Sequence, residues 1–215
     1  MSYSANYPRY NVREYFETVV SADVFNGKSV LDFGCNKCNF LRFGNQNQSS
    51  YTGVDIDSTI IAENQAEFTS DTFIHYDGYN EMYNPSGTAS IPTFNNHDVG
   101  IMYSIANHMR LAELKTTINH LNQYCDYLYV TFFASNNRAG YDLACTYRNL
   151  PNTTWSSHAN QNESYFTASN NMMWSFFDAS FLQSETGADS VLDEPIFLTS
   201  YEIHATMKCL VFNNT

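Results

Sequence analysis

The chain has 215 residues, of which 43% are hydrophobic, which is enough for one domain with a packed core and too many for a disordered protein. Its net charge of −12, from 22 acidic and 10 basic residues, disfavours nucleic acid and anionic membranes as partners. The sequence has no run of 18 apolar residues, no apolar signal segment in residues 1–11, and five Cys without a regular disulfide framework. We therefore expect a cytoplasmic protein with reduced thiols.

Apolar strands alternate with helical patterns along the chain. Apolar residues at helical spacing predict a first helix over residues 12–20 that Gly27 ends, and a short apolar run predicts a strand at residues 29–33. The further predicted strands are residues 51–56, 72–76, 99–105, 127–133, 191–198 and 203–212, and the further predicted helices are residues 40–43, 59–68, 111–121 and 174–183. This alternation predicts a mostly parallel sheet with helices on both faces.

Three segments lie outside this regular pattern in a domain that we expect to span residues 1–215. Residues 1–26 form a predicted N-terminal helical cap. Residues 80–96 contain Pro and Gly and are predicted to be a loop. Residues 134–173, rich in Asn, Ser and aromatic residues, are predicted to be a lid-like insertion, although an exposed loop with its aromatic residues packed on the core has the same pattern.

The strongest motif is the run VLDFGCNKCNFL, which begins at Val30 and joins a strand to a helix through a turn of small residues. A turn of this kind lets backbone N–H groups approach a ligand closely, because no bulky Cβ atom intervenes. Asp55 follows Gly34 by 21 positions, at the end of the next strand in GVDID. An acid at that position can accept hydrogen bonds from both ribose hydroxyls.

From Lys28 to about Phe133 the chain resembles the class I S-adenosylmethionine-dependent methyltransferases, in which an LDxGCGxG-like turn precedes a second strand ending in GVD. The resemblance implies an α/β three-layer sandwich, with a mostly parallel seven-stranded sheet, helices on both faces and an antiparallel last strand. It also implies S-adenosylmethionine as the cofactor. The acidic surface and the lid favour a small-molecule or peptide-like acceptor over nucleic acid.

Carried over residue by residue, the resemblance places the cofactor on the ends of four strands. Asp32 would orient the methionyl amino group, Asp55 would bind the ribose, and Asp77 would lie near the adenine amino group. Ile56 would pack on the adenine face. The complete predicted cofactor-binding set is Asp32, Gly34, Cys35, Asn36, Asp55, Ile56, Asp77 and Ser104.

The loop after the fourth predicted strand supplies the candidate catalytic residues. His108 is the preferred general base, since histidine titrates near neutral pH, and Tyr103 is the second candidate. A His that only bonds a neighbouring carbonyl would look the same in the sequence. No metal is required for the predicted reaction.

Several features leave other functions open. Asn36 and Cys38 occupy positions where the family usually has Gly, and the loop at residues 80–96 replaces an expected helix. A non-catalytic binding module with the same fold is therefore the main alternative. An NAD-dependent oxidoreductase fits less well, because the turn does not read GxGxxG. The CxxC pair, Cys35 and Cys38, suits redox or zinc chemistry but is also explained by packing.

Overall fold

A computed structural model describes residues 11–43, 46–81, 83–134, 156–157, 163–167, 173–193 and 207–215. The described helices are α1 (Val12–Val19), α2 (Asn39–Arg42), α3 (Ser58–Glu67), α4 (Leu111–Leu121) and α5 (Ala179–Thr186), with a 3-10 turn at Ala106–His108. The described strands are β1 (Ser29–Phe33), β2 (Ser50–Asp55), β3 (Thr72–His75), β4 (His97–Met102), β5 (Cys125–Ala134), β6 (Ser156–Ser157), β7 (Glu163–Thr167), β8 (Met173–Phe177), β9 (Ser190–Asp193) and β10 (Met207–Asn213).

The central sheet has seven strands in the order β3-β2-β1-β4-β5-β10-β9. The pairs from β3 to β5 are all parallel, whereas β10 is antiparallel to both β5 and β9. Six strands therefore run in one direction and the last strand runs against them. The predicted seven-stranded, mostly parallel sheet with an antiparallel last strand is confirmed.

Helices cover both faces of this sheet and complete the predicted three layers. Alternate residues of β1 divide between the two sides: Val30 packs in the apolar cluster that includes α1, α2 and α3 residues, whereas Leu31 and Phe33 pack in the cluster that includes α4 and α5. A strand buried on both sides reads as a continuous apolar run, which explains why residues 29–33 were readily predicted. No helix in the described part of the chain is long and apolar enough to cross a membrane.

Three further strands, β8, β7 and β6, extend the sheet from the end of β5. β8 pairs in parallel with β5 at Phe133 and Ala134, and β7 and β6 continue from β8 in antiparallel pairs. The prediction of a helix over residues 174–183 was wrong in its first part, because residues up to Phe177 belong to β8. The helix begins only after Asp178, whose side chain accepts a hydrogen bond from the Phe181 N–H.

The remaining differences concern element ends. The first helix ends at Val19, and Gly27 instead closes the turns that follow it, with a φ of +67°. The fourth strand ends at Met102, so that residues 103–105 lie in the loop beyond it. Residues 1–10 of the predicted cap lie outside the described residues, as do residues 194–206 of the last two predicted strands. The same holds within the predicted lid for residues 135–155, 158–162 and 168–172.

Arg13 attaches α1 to the rest of the domain. Its side chain is 0% exposed, and its guanidinium carbon lies 4.6 Å from the Phe40 ring centroid and 5.3 Å from that of Phe25. The guanidinium group donates hydrogen bonds to the side chains of Asn47 and Gln48. Burial lowers the pKa of Arg13, and Glu17, one turn along α1, opposes that shift.

Candidate active site

The predicted site residues meet at one edge of the sheet. β1 lies between β2 and β4: the chain places β2 and β3 on one side of β1 and then crosses back to place β4 and β5 on the other side. Ligands of open α/β sheets bind at such a switch point, beyond the carboxyl ends of the strands. The turn after β1, the end of β2, the segment after β3 and the loop after β4 all lie at this edge.

The turn after β1 requires glycine at its first position. Gly34 has a φ of +85°, and a Cβ atom built on it would lie 2.2 Å from Ile105 Cδ1. The N–H groups of Gly34 and Cys35 both donate to the carbonyl oxygen of Val54, at 2.8 and 2.9 Å. The turn is therefore held against β2 and against the loop after β4 at the same time.

Asn36 and Cys38 take left-handed backbone conformations although neither is glycine, with φ values of 45° and 52°. Asn tolerates this region better than most residues, and the Asn36 side chain accepts a hydrogen bond from the Lys37 N–H at 2.8 Å. The Asn36 carbonyl accepts another from Asn64 Nδ2 at 2.6 Å. The two substituted glycine positions thus keep the positive φ for which glycine is usually chosen.

The two cysteines of the turn are buried free thiols. Hydrogen bonding to the Cys38 thiol, together with burial, raises the pKa of Cys35 well above its usual value. Such a thiol is a poor nucleophile, since the thiolate is the reactive form. Within the described part of the chain, no three His, Cys, Asp or Glu residues are grouped as metal ligands. These observations favour the packing interpretation of the CxxC pair.

Asp32 is a buried carboxyl beneath this turn. It is only 3% exposed, and Tyr51 donates its O–H to Asp32 Oδ2 at 2.7 Å. Burial raises the pKa of Asp32 to about 7; the Tyr51 hydrogen bond opposes this shift and the nearby charge of Asp55 adds to it. A buried carboxyl with a raised pKa favours a cationic ligand, because a positive charge nearby would stabilise its ionised form.

Asp55 links β2 to the turn. Its Oδ2 accepts a hydrogen bond from the Asn36 N–H at 2.8 Å, and its Oδ1 accepts one from the Asp57 N–H at 3.0 Å. Burial raises its pKa, and these N–H donors partly oppose the shift. Each carboxylate oxygen has a second lone pair, so both oxygens can still accept a hydroxyl donor.

The residues predicted for the adenine side follow β2 and β3. Ile56 is half-buried, and its carbonyl oxygen lies 3.2 Å from His75 Nε2. Asp77 is exposed, and its Oδ1 accepts a hydrogen bond from Asn84 Nδ2 at 2.7 Å. The segment between β3 and β4 contains no helix among its described residues, as predicted.

The loop after β4 separates the two catalytic candidates. Tyr103 packs against Tyr15 and Phe16 of α1, with ring centroids 5.1 and 6.0 Å apart. Ser104 has a φ of 58° and donates its N–H to Thr131 Oγ1 at 2.7 Å. Tyr103 thus lies on the α1 side of the sheet.

His108 lies in the 3-10 turn and is 9% exposed. Asn107 Nδ2 lies 3.0 Å from His108 Nε2, and the Tyr83 ring contacts the imidazole edge-on at 5.4 Å between centroids. This contact involves one of the two ring nitrogens, and which group donates in it depends on the imidazole tautomer.

Sequence reasoning missed Tyr51, Asn80 and Glu113. Asn80 is buried and donates to Glu113 Oε1 at 2.8 Å. Burial raises the pKa of Glu113 to about 7, and the Asn80 hydrogen bond opposes that shift. Glu113 is in the first turn of α4, where an acidic residue is common, so its position alone gave no reason to single it out.

No protein-family model and no curated protein matches this sequence. Solved structures do match. The PH0226 protein from Pyrococcus horikoshii OT3 has a TM-score of 0.63 and 14% identity, over 98% of this chain and 93% of its own. The 1,6-didemethyltoxoflavin-N1-methyltransferase from Burkholderia thailandensis, solved with 1,6-didemethyltoxoflavin and S-adenosylhomocysteine, has a TM-score of 0.59 and 10% identity, over 94% of this chain and 76% of its own.

A third similar structure is the magnesium protoporphyrin IX methyltransferase from Synechocystis PCC 6803 with bound S-adenosylhomocysteine. Its TM-score is 0.57 at 15% identity, over 98% of this chain and 89% of its own. At these identities the likeness concerns the fold, which agrees with the strand order described above. The chain has the fold of the class I S-adenosylmethionine-dependent methyltransferases.

Proposed function

We propose that this protein is an S-adenosylmethionine-dependent methyltransferase with a small-molecule or peptide-like acceptor. The observation that carries the proposal is the hydrogen bond from the Asn36 N–H to Asp55, which joins the Gly34 turn to the end of β2 at the switch point. The fold supports it, and two of the similar structures described above contain S-adenosylhomocysteine. The Burkholderia enzyme also contains a small-molecule acceptor, which supports that class of substrate.

The residues present fit this cofactor. Asp32 is a buried carboxyl that would hold the methionyl ammonium group, and Gly34 adds no Cβ to the turn whose backbone would approach the ligand. Asp55 would accept the ribose hydroxyls with its remaining lone pairs. The rest of the proposed set follows from the same strand ends: Cys35 and Asn36 in the turn, Ile56 and Asp77 beside the adenine, and Ser104 after β4.

When bound, S-adenosylmethionine supplies a methyl group on a positively charged sulfur. Asp32 and Asp55 place two carboxyl groups beside the turn and favour a cationic ligand there. The leaving thioether is neutral, so the protein has little need of an acid, and its main contribution is alignment of the acceptor. His108 is our candidate to take the acceptor's proton, with Tyr103 as the second choice.

A non-catalytic binding module with this fold is the second candidate. Cys38 favours it, because it stands at a usual glycine position and its side chain is fully buried beneath the turn. The compact segment that follows Asp77 in place of a helix favours it as well. In this case the partner would be another protein.

Calorimetric titration of the purified protein with S-adenosylmethionine, S-adenosylhomocysteine and NAD tests the proposal directly. We expect micromolar binding of both adenosyl ligands and none of NAD. Asp55→Ala should abolish that binding, while Asp126→Ala, an exposed carboxylate at the start of β5 on the opposite edge, should not. Absence of binding to the wild-type protein would refute the enzymatic proposal and favour the binding module.

A further inference from the structure

Asn80 makes three side-chain hydrogen bonds from a buried position outside the predicted site. The residue is 6% exposed. Its Nδ2 donates to the carbonyl oxygen of His108 at 3.2 Å and to Glu113 Oε1 at 2.8 Å. Its Oδ1 accepts a hydrogen bond from the Tyr83 N–H at 2.8 Å. Both amide hydrogens and the amide oxygen are thus used, and each connects a different part of the chain.

The same residue is connected to Asp77 through Asn84. The backbones of Asn80 and Asn84 exchange two N–H to carbonyl hydrogen bonds, at 3.1 and 3.0 Å. Asn84 Nδ2 in turn donates to Asp77 Oδ1 at 2.7 Å and to the Gly78 carbonyl at 3.0 Å. Within the described residues, Asp77 Oδ2 has no hydrogen-bond donor and remains available to a ligand.

The segment is also bound to the start of α4. Arg110, the residue before that helix, pairs with Glu81 through two guanidinium nitrogens. Glu113 accepts the Asn80 hydrogen bond from the first turn of the same helix. A chain of hydrogen bonds therefore runs from Asp77 through Asn84 and Asn80 to the His108 turn and α4.

We infer that Asn80 is a positioning residue, which fixes Asp77 relative to His108. The inference rests on the proposed function, in which Asp77 accepts the adenine amino group and His108 faces the acceptor. Asp77 is exposed; its backbone carbonyl accepts hydrogen bonds from the Thr88 and Ala89 N–H groups, and its carboxylate is oriented by the Asn84 amide. The fixed reference is Asn80, whose side-chain amide joins that segment to two elements that follow β4 in the chain, the 3-10 turn and α4.

Asn80→Asp tests this with almost no change in shape. The substitution removes both amide donors and places a second carboxyl group beside Glu113, so the segment should lose its fixed position. Asn119→Asp is the matched control, since Asn119 is an exposed residue of α4 and the charge change is the same. Binding of S-adenosylhomocysteine is compared with binding of its 6-oxo analogue, S-inosylhomocysteine, which lacks the amino donor that Asp77 would accept.

We expect Asn80→Asp to weaken S-adenosylhomocysteine binding about tenfold, the effect of losing one well-placed hydrogen bond. Binding of the 6-oxo analogue should change by less than about threefold, so that discrimination between the two ligands is lost. Combining Asn80→Asp with Glu113→Gln should restore part of the discrimination, because the new amide can donate to the new carboxylate. Asn119→Asp should behave as wild type.

Equal weakening of both ligands, or unchanged discrimination, would overturn the inference while leaving the proposed function intact. Failure of the wild-type protein to bind either ligand would overturn both. If Asn80→Asp does not fold, Asn84→Ala removes the donor to Asp77 without touching Asn80 and should also abolish discrimination. Hydrogen exchange on the free protein gives a second readout, since the Tyr83 and Asn84 amides should lose protection in the Asn80 variant.

Discussion

Replacing Asp32 with Asn should make the free protein more stable at neutral and alkaline pH. Asp32 is buried, and burial raises its pKa from 3.8 to about 7. The folded protein therefore binds more protons than the unfolded chain between these pH values, and this group lowers wild-type stability as the pH rises from about 4 to 7. The variant lacks this ionisation but keeps an oxygen that can accept the Tyr51 O–H.

At about 1.4 kcal/mol per pH unit, the pKa difference of Asp32 corresponds to about 4 kcal/mol. The free energy of unfolding of Asp32→Asn, relative to wild type, should thus increase by about 4 kcal/mol between pH 4 and pH 8. Urea unfolding at several pH values measures this directly.

Asp98→Asn is the control for the Asp32 experiment. The Ser29 N–H and O–H donate to Asp98 and lower its pKa, so this carboxylate is ionised in both states above about pH 5. Its stability difference from wild type should stay nearly constant from there to pH 8. If the curve for Asp32→Asn also runs parallel to that of wild type, Asp32 is ionised in the folded protein and our account of its environment is wrong.

Three further substitutions test the roles of Gly34 in the turn after β1, Arg13 in α1 and His108 in the 3-10 turn. Gly34→Ala should lower the melting temperature far more than Gly27→Ala, because both have positive φ but only Gly34 would bring a Cβ to 2.2 Å from Ile105; equal losses would contradict this. Arg13→Ala should cost about 3 kcal/mol in urea unfolding, since it removes a buried side chain that packs on the Phe25 and Phe40 rings, and a loss below about 0.5 kcal/mol would rule out that role. His108→Ala should slow turnover without weakening S-adenosylhomocysteine binding, and unchanged turnover would remove His108 from the mechanism.

The sequence was sufficient wherever a local pattern agrees with the tertiary environment. The run at residues 29–33 is mostly apolar because β1 is buried on both faces, and the pattern reflects that burial directly. Asp57 precedes the helix predicted at residues 59–68, and its side chain accepts hydrogen bonds from the N–H groups of Thr59 and Ile60. Gly187 ends α5 with a φ of 72°, the left-handed conformation that glycine commonly takes after a helix.

The prediction from the sequence failed where a run of apolar residues is compatible with either a helix or a strand. Residues 174–177 were predicted as part of a helix, although they pair with the end of β5 and with β7. A short aromatic run cannot by itself distinguish a strand from a buried helix, and the partner strands decide the outcome. Gly27 similarly closes a turn and not the first helix, which ends at Val19.

The same distinction, between residues fixed by a local pattern and residues fixed by distant partners, applies to the candidate site. Asp32, Gly34 and Asp55 could be predicted because each lies at the end of an apolar strand, where position in the chain implies position in space. Asn80 could not, because its partners His108 and Glu113 are 28 and 33 residues away and no periodic pattern joins them. The described residues between β3 and β4 include no helix that would fix this segment, so its position depends on hydrogen bonds between distant residues. Such residues can be identified only from the folded structure, by determining which partner each buried polar group bonds to.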